Sequence, residues 1–272
     1  MRRSVVSGQS VEQNVNSSDG TVLRVRLLGA FGVSAGPHLL SIGVAGQRLV
    51  AMLALAEQSV SRSRAAATLW PDIPESRASA NLRATLWRLL RLPHRIVEAT
   101  PFELRLPPDW QVDTRELVAL ARLLLDRTSV LTDAQLSAAI RINLYEDLLP
   151  NHTNEAWLHP ERERFRQLRL HCLEALCERL TSARWHGAAV DCALAAVRAD
   201  PHRESASIAL INAHLAQGNY RDAVRHYDAY RSRLRQDLGA EPSPMFNQAL
   251  LGRTQTAAPD IQRNFNPIRY TT

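Results

Sequence analysis

Between Leu23 and Leu27 apolar and basic residues alternate, Leu-Arg-Val-Arg-Leu, the period-two pattern of a strand with one buried face. Two further short runs, Phe31–Ser34 and His38–Ile42, are punctuated by Gly29, Gly32, Gly36-Pro37 and Gly43, which predicts three strands joined by tight turns. From Gln47 the period lengthens, and Leu49, Leu53, Leu55 and Ala56 fall near one face of a helix. A second helix is predicted from Arg62 to Trp70, where Pro71 stops it, and a third from Ser76 to Arg91, closed by Pro93. Alternation returns in Arg95–Glu98 and Phe102–Leu106, a hairpin joined across Ala99–Pro101, and Pro107-Pro108 ends the unit.

The second half is helical in pattern. Asp113-Thr114-Arg115-Glu116 reads as a capping box opening a helix to about Arg127, and Thr132-Asp133-Ala134-Gln135 opens another. Tyr145–Asn154 is an irregular link. A long helix follows over Ala156–Ser182, with Trp157, Phe165, Leu168, Cys172, Leu176 and Leu180 as its apolar positions. An internal repeat then emerges. Ala189, Ala193, Ala196 and Pro201 keep the spacing of the second helix of a tetratricopeptide unit, and Gly218, Tyr220, Ala223 and Tyr227 fit the same template one 34-residue period later. Ser243-Pro244 predicts the start of a last helix. The fold class expected is mainly α with a small β component: a winged helix-turn-helix domain over residues 21–110, then a tetratricopeptide-like α-solenoid domain over 111–255. An irregular helical bundle is the alternative for the second unit. Residues 1–20 are expected to be a disordered tail and 256–272 a flexible one.

Charge changes this picture from fold to partner. Residues 1–112 hold 13 arginines against 8 acidic residues, and residues 113–272 hold 20 against 19. Between Ser76 and Val97 stand five arginines and no acid, where a merely solvated helix face mixes both signs. On a wheel of about 100° per residue, Leu82, Leu86 and Leu89 form one buried stripe. Arg77, Ala80, Ala84, Trp87, Arg88 and Arg91 lie opposite, with Asn81 at the margin. Guanidinium and amide groups read purine edges and hold phosphates, so Arg77, Asn81, Arg83, Ala84, Trp87, Arg88, Arg91 and Arg95 are the candidate DNA-facing residues.

Other chemistry is thinly represented. The chain has no lysine, which excludes a Walker P-loop, Schiff-base chemistry and a lysine general base. Cys172, Cys177 and Cys192 form no CxxC pair and read as buried small apolar residues, and no histidine pair has metal-ligand spacing. Neither a metal nor a cofactor is expected. No apolar run reaches the ~20 residues of a membrane span. The basic start Met1-Arg2-Arg3 lacks the apolar core of a signal peptide, so the expected location is the cytoplasm, on the nucleoid.

The chain resembles the small members of the Streptomyces antibiotic regulatory protein (SARP) family, which join an OmpR-type winged helix to a bacterial transcriptional activator domain. The matching stretches are Leu23–Gly29, Gln47-Arg48, Thr68–Pro71 and Asn81–Arg83 in the first half. In the second they are Asp147–Pro150 with Trp157, Glu161–Arg164, Ala199–Pro201 with Glu204, and Leu238–Pro244. The resemblance implies binding to promoter direct repeats by a head-to-tail homodimer and recruitment of RNA polymerase through sigma region 4 and the alpha C-terminal domain. Gln47 and Arg48 join the expected DNA-facing set on this ground. The loop Pro71, Asp72, Ile73, Pro74 and Glu75 is the expected polymerase contact. Two departures stand out: the connection from the third helix to the hairpin is short, and the tip Ala99–Phe102 lacks the usual glycine, which speaks against insertion into the minor groove.

A sequence-specific transcription regulator, an activator by resemblance, is thus the leading function. A tetratricopeptide-like adaptor that binds protein without strong DNA binding is the alternative. An enzyme is not expected, because no nucleophile–base or metal constellation is visible. The charge distribution further predicts that residues 1–110 alone bind DNA.

Overall fold

The computed structural model describes residues 21–126 and 128–254, so both expected tails lie outside the described residues. The alternation at the start of this range sets the first sheet. Strand β1 (Leu23–Arg26) buries Val25 and leaves Arg24 and Arg26 exposed. It pairs antiparallel with β2 (Gly32–Ala35), which pairs antiparallel with β3 (His38–Leu39). Gly29 stands at φ +82°, and a Cβ there would meet the Glu146 carboxylate at 1.5 Å, so both backbone and space require glycine.

Helix α1 (Val44–Leu55) follows, then strand β4 (Val60–Ser61) and α2 (Arg62–Leu69), whose first turn is capped by Ser61 accepting from the Arg64 amide. Helix α3 spans Glu75–Leu89. Strands β5 (Glu98–Ala99) and β6 (Glu103–Arg105) form the wing, and β4 extends it to a three-stranded sheet. The wing is shorter than the alternation predicts because Ile96 and Val97 are buried in the core instead of paired.

Strand β7 (Gln111–Val112) lies parallel to β1 and completes the first sheet. The chain therefore has no structural break between residues 110 and 111. Asp113 opens α4 (Asp113–Leu125), but it does not close a capping box. Its carboxylate accepts the amides of Leu27 (2.9 Å), Leu28 (2.8 Å) and Thr114 (2.8 Å). Burial pushes this carboxyl above the usual aspartate range, while the three N–H groups pull the other way. Thr132 and Gln135 do form a capping box, at the start of α5 (Asp133–Ile140).

The remaining helices are α6 (Leu158–Ser182), α7 (His186–Ala199), α8 (Glu204–Gln217), α9 (Tyr220–Leu238) and α10 (Pro244–Thr254). Each packs on its neighbours in sequence, and α6 also meets α8, the stacking expected of helical repeats. The small residues at the repeat positions allow this close approach: Ala189, Ala193, Ala196 and Ala223 are fully buried. Gly218 ends α8 in the left-handed conformation at φ +84°. The architecture is mainly α, a winged helix leading into an α-solenoid.

The two halves meet through backbone as well as side chains. Leu149 N donates to Leu27 O (2.9 Å), and Gly29 N donates to Asp147 O (2.8 Å). Arg162 gathers the carbonyls of Leu148, Leu149 and His152 and so shapes the irregular link before α6. One continuous hydrophobic core runs from Val25 in β1 to Ala213 in α8.

Between α8 and α9, burial and the neighbouring His214 and Arg233 push the His226 imidazole down to about 4. The folded value lies below the ordinary value of 6.5, so the unfolded chain takes up the proton first as pH falls. Stability is expected to fall by roughly 2–3 kcal/mol between about pH 6.5 and pH 4 from this group. Urea titrations of the parent and of His226→Gln across that range check it, and the variant should lose less.

Candidate nucleic-acid interface

Helix α3 is amphipathic. It buries Ala78, Leu82, Thr85, Leu86 and Leu89 against α1 and α2. Thr85 is buried without penalty because its hydroxyl donates to Asn81 O at 2.8 Å. The opposite face exposes Arg77, Ala80, Asn81, Arg83, Ala84, Trp87 and Arg88, and Arg91 and Arg95 are exposed just beyond the helix. The structure thus brings eight of the ten residues expected at DNA onto α3 and its carboxyl-terminal extension. Trp87 is 59% exposed, and the Arg91 guanidinium lies 4.3 Å from its ring centroid. This stack costs Arg91 none of its N–H donors.

Among the described residues, none of Arg77, Arg83, Arg88, Arg91 and Arg95 takes part in an ion pair or donates a side-chain hydrogen bond within the chain. Many arginines of the second half behave differently, although Arg115, Arg122, Arg141, Arg184 and Arg221, scattered over several elements, are likewise without a side-chain partner among the described residues. Arg203 is paired with Glu174 at 2.5 Å, Arg166 bridges Glu163 and Asp200, and Arg179 holds the carbonyls of Leu124 in the last turn of α4 and of Asp126 and Ser129 just beyond it. Guanidinium groups already satisfied inside the fold have little to offer a phosphate. Those on α3 keep all five donors.

Gln47 and Arg48 are placed elsewhere. Gln47 is half-buried, and its amide donates to Ile42 O at 2.8 Å. Arg48 turns inward: it meets Glu155 at 2.5 Å, donates to Leu69 O, and lies 6.0 Å from the Trp70 ring. Its side chain is only 20% exposed and that of Glu155 only 12%. A charge so enclosed stays where its partner is, so Arg48 joins the two halves.

In the expected polymerase loop, Pro71, Asp72 and Pro74 are exposed, Ile73 packs partly on the core, and Glu75 is the first residue of α3. A shallow concavity between α2 and α3 runs beside it, lined by Arg64, Trp70 and Ile73 among others. Arg62 enters the sequence reading only as the start of the second helix, and the structure adds a contact with the wing. Its Nε donates to Thr100 O (2.8 Å) and its backbone amide to Phe102 O (2.9 Å), tying the wing tip to the helix.

The cysteines offer no chemistry of their own. All three are free and buried, and burial pushes the Cys172 and Cys192 thiols up to about 12 and Cys177 to about 11. Among the described residues no cluster of three His, Cys, Asp or Glu side chains could hold a metal ion, and no helix is long and apolar enough to cross a membrane.

The bacterial transcriptional activator domain matches residues 112–250. Among solved structures, "Mycobacterium tuberculosis EmbR in complex with low affinity phosphopeptide" is similar in fold. The TM-score is 0.63 at 22% identity, over 89% of this chain and 68% of that one. No curated protein matches the chain. A family match over half the sequence, carried on a winged helix joined to stacked helical repeats, decides the affiliation: the chain belongs to the bacterial transcriptional activator domain family.

Proposed function

We propose that the chain is a sequence-specific activator that binds promoter DNA through the exposed face of α3. The observation that carries this reading is the cluster of five arginines on and just beyond α3 that, among the described residues, pair with no acid and donate no side-chain hydrogen bond within the chain, while many arginines of the repeat region are engaged inside the fold. In this reading Arg77, Arg83, Arg88, Arg91 and Arg95 hold phosphates or guanine edges. Asn81 reads a purine edge, and Ala84 and Trp87 supply apolar contact. The loop Pro71–Glu75 faces RNA polymerase, at sigma region 4 and the alpha C-terminal domain. Residues 113–255 hold two copies side by side on direct repeats. The protein then resides on the nucleoid in the cytoplasm.

Selection of duplexes from a random pool by the full chain, followed by titration of the recovered sequence, tests the reading. Arg88→Ala and Arg91→Ala are each expected to weaken binding by roughly 1–3 kcal/mol. Affinity should also fall steeply with salt, as counterions are released from the phosphates. Variants of Asp72 or Ile73 should bind DNA like the parent and lose transcription in a reconstituted assay. A chain that selects no duplex yet captures protein partners through its repeats would be the adaptor instead.

A further inference from the structure

We infer that the second half of the chain sets the path of the loop Pro71–Glu75 through a relay of three side chains. Trp157 aims Glu155, Glu155 aims Arg48, and Arg48 holds the last turn of α2 at the root of the loop. The relay itself needs no DNA, but its consequence for transcription rests on the role proposed above for that loop.

The loop cannot fix itself. Pro71 and Pro74 have no backbone N–H to give, and among the described residues the amides of Asp72 and Ile73 donate no hydrogen bond. Its path is therefore decided at its two ends. At the far end the Arg77 and Ala78 amides close on Pro74 O at 2.9 and 3.0 Å, and Leu82, Leu86 and Leu89 fasten α3 behind them. At the near end α2 stops at Leu69 with no basic residue in its last turn, so the helix has no cation of its own for its terminal carbonyls. Arg48, on α1, supplies it. It donates to Leu69 O and stands over Trp70, the residue that ends α2 and walls the concavity beside the loop.

An arginine side chain has many rotamers, and a carboxylate from the other half of the chain selects this one. One Glu155 oxygen meets Arg48 Nε, and the other accepts from Trp157 Nε1 at 2.7 Å, so the carboxylate is held from both sides. The Glu155 backbone is fixed too: its carbonyl accepts the Leu158 amide at 2.9 Å, where α6 begins. Arg162 pins the link that precedes it. The Arg164–Glu57 bridge also crosses between the halves, but Glu57 is 82% exposed and such a pair contributes little. The Arg48–Glu155 pair is enclosed, and loss of its carboxylate would leave a buried cation to seek another acceptor. Arg48 would then let go of Leu69 O, and the root of the loop would loosen.

Hydrogen exchange of the full chain tests the relay without DNA or polymerase. Glu155→Gln keeps the size and removes the charge. Exchange of the helical amides from Ala67 to Trp70 should rise roughly 5- to 30-fold, the change in opening equilibrium expected of a lost helix cap. Peptides of α3 and of α7 to α9 should keep the parent's rates. Glu155→Asp, with its charge intact, should restore part of the protection, and Trp157→Phe should give a smaller rise in the same amides. With 5-fluorotryptophan incorporated, the Trp70 resonance should move in Glu155→Gln while those of Trp110 and Trp185 stay. On a duplex recovered by the random-pool selection, Glu155→Gln should bind like the parent and transcribe less. Parent-like exchange in both Glu155→Gln and Trp157→Phe overturns the relay. A rise spread evenly over α3 and the repeats also overturns it, because Glu155 would then only stabilise the fold as a whole. A loosened α2 with undiminished transcription leaves the relay standing and overturns the assignment of the loop to polymerase.

Discussion

A fragment ending at residue 110 is expected to lose its cooperative melting transition, and one ending at residue 126 to recover a weaker one. The shorter fragment carries every arginine of α3, so its charge alone would predict an autonomous DNA-binding domain. It ends, however, one residue before β7, and loses the Arg24–Gln111 hydrogen bond (3.0 Å) and the Val25–Val112 pairing with it. The Asp113 carboxylate goes too, leaving the amides of the fully buried Leu27 and Leu28 without acceptors. Each orphaned buried amide costs roughly 1–3 kcal/mol, against a total stability of about 5–15 kcal/mol for an ordinary domain. Restoring residues 111–126 returns the strand, the carboxylate and α4, but not the Leu149 and Asp147 backbone bonds. Near-ultraviolet circular dichroism during heating reads the outcome, and a sharp parent-like transition in the 1–110 fragment would refute it. In the full chain, Asp113→Ala isolates the carboxylate, with an expected loss of roughly 2–6 kcal/mol for the two amides.

The second large effect separates the two faces of α3. Leu82 and Leu86 are 2% and 3% exposed, and truncating either to alanine leaves a cavity beneath the helix. Losses of roughly 2–5 kcal/mol are expected for each. Arg77→Ala, on the opposite face, removes no internal partner and should leave the melt unchanged while weakening DNA binding. Urea denaturation set beside mobility-shift titrations distinguishes the cases. Leucine variants that unfold like the parent would mean that α3 presents a different face to the core.

What could be read from the sequence follows the range of the interactions involved. The stripe Leu82, Leu86 and Leu89 is written in a local period, and those residues are buried in the structure. The 34-residue spacing of Ala189 and Ala223 is likewise visible in one dimension, and both are fully buried. Arg48 was not legible, because its partner Glu155 stands far along the chain and nothing near Arg48 announces it. Strands β4 and β7 have two residues each, too few to show alternation. Asp113 carries a capping signature that is real as a pattern, but a long-range demand from β1 takes the carboxylate. The wing tip shows the converse. Its missing glycine reads as a defect until Thr100 and Arg62 are seen to supply the turn.

The junction at Asp113 bears on how such regulators can be recombined. Exchanging recognition heads at the apparent boundary near residue 110 would pair one protein's β1 with another's β7, and would hand Leu27 and Leu28 to a carboxylate that evolved against different neighbours. A crossover beyond α4 keeps the sheet and its acceptor together, though it must still match the Leu149 and Arg48 contacts. The stretch of chain that must be inherited intact is therefore longer than the stretch that would read DNA.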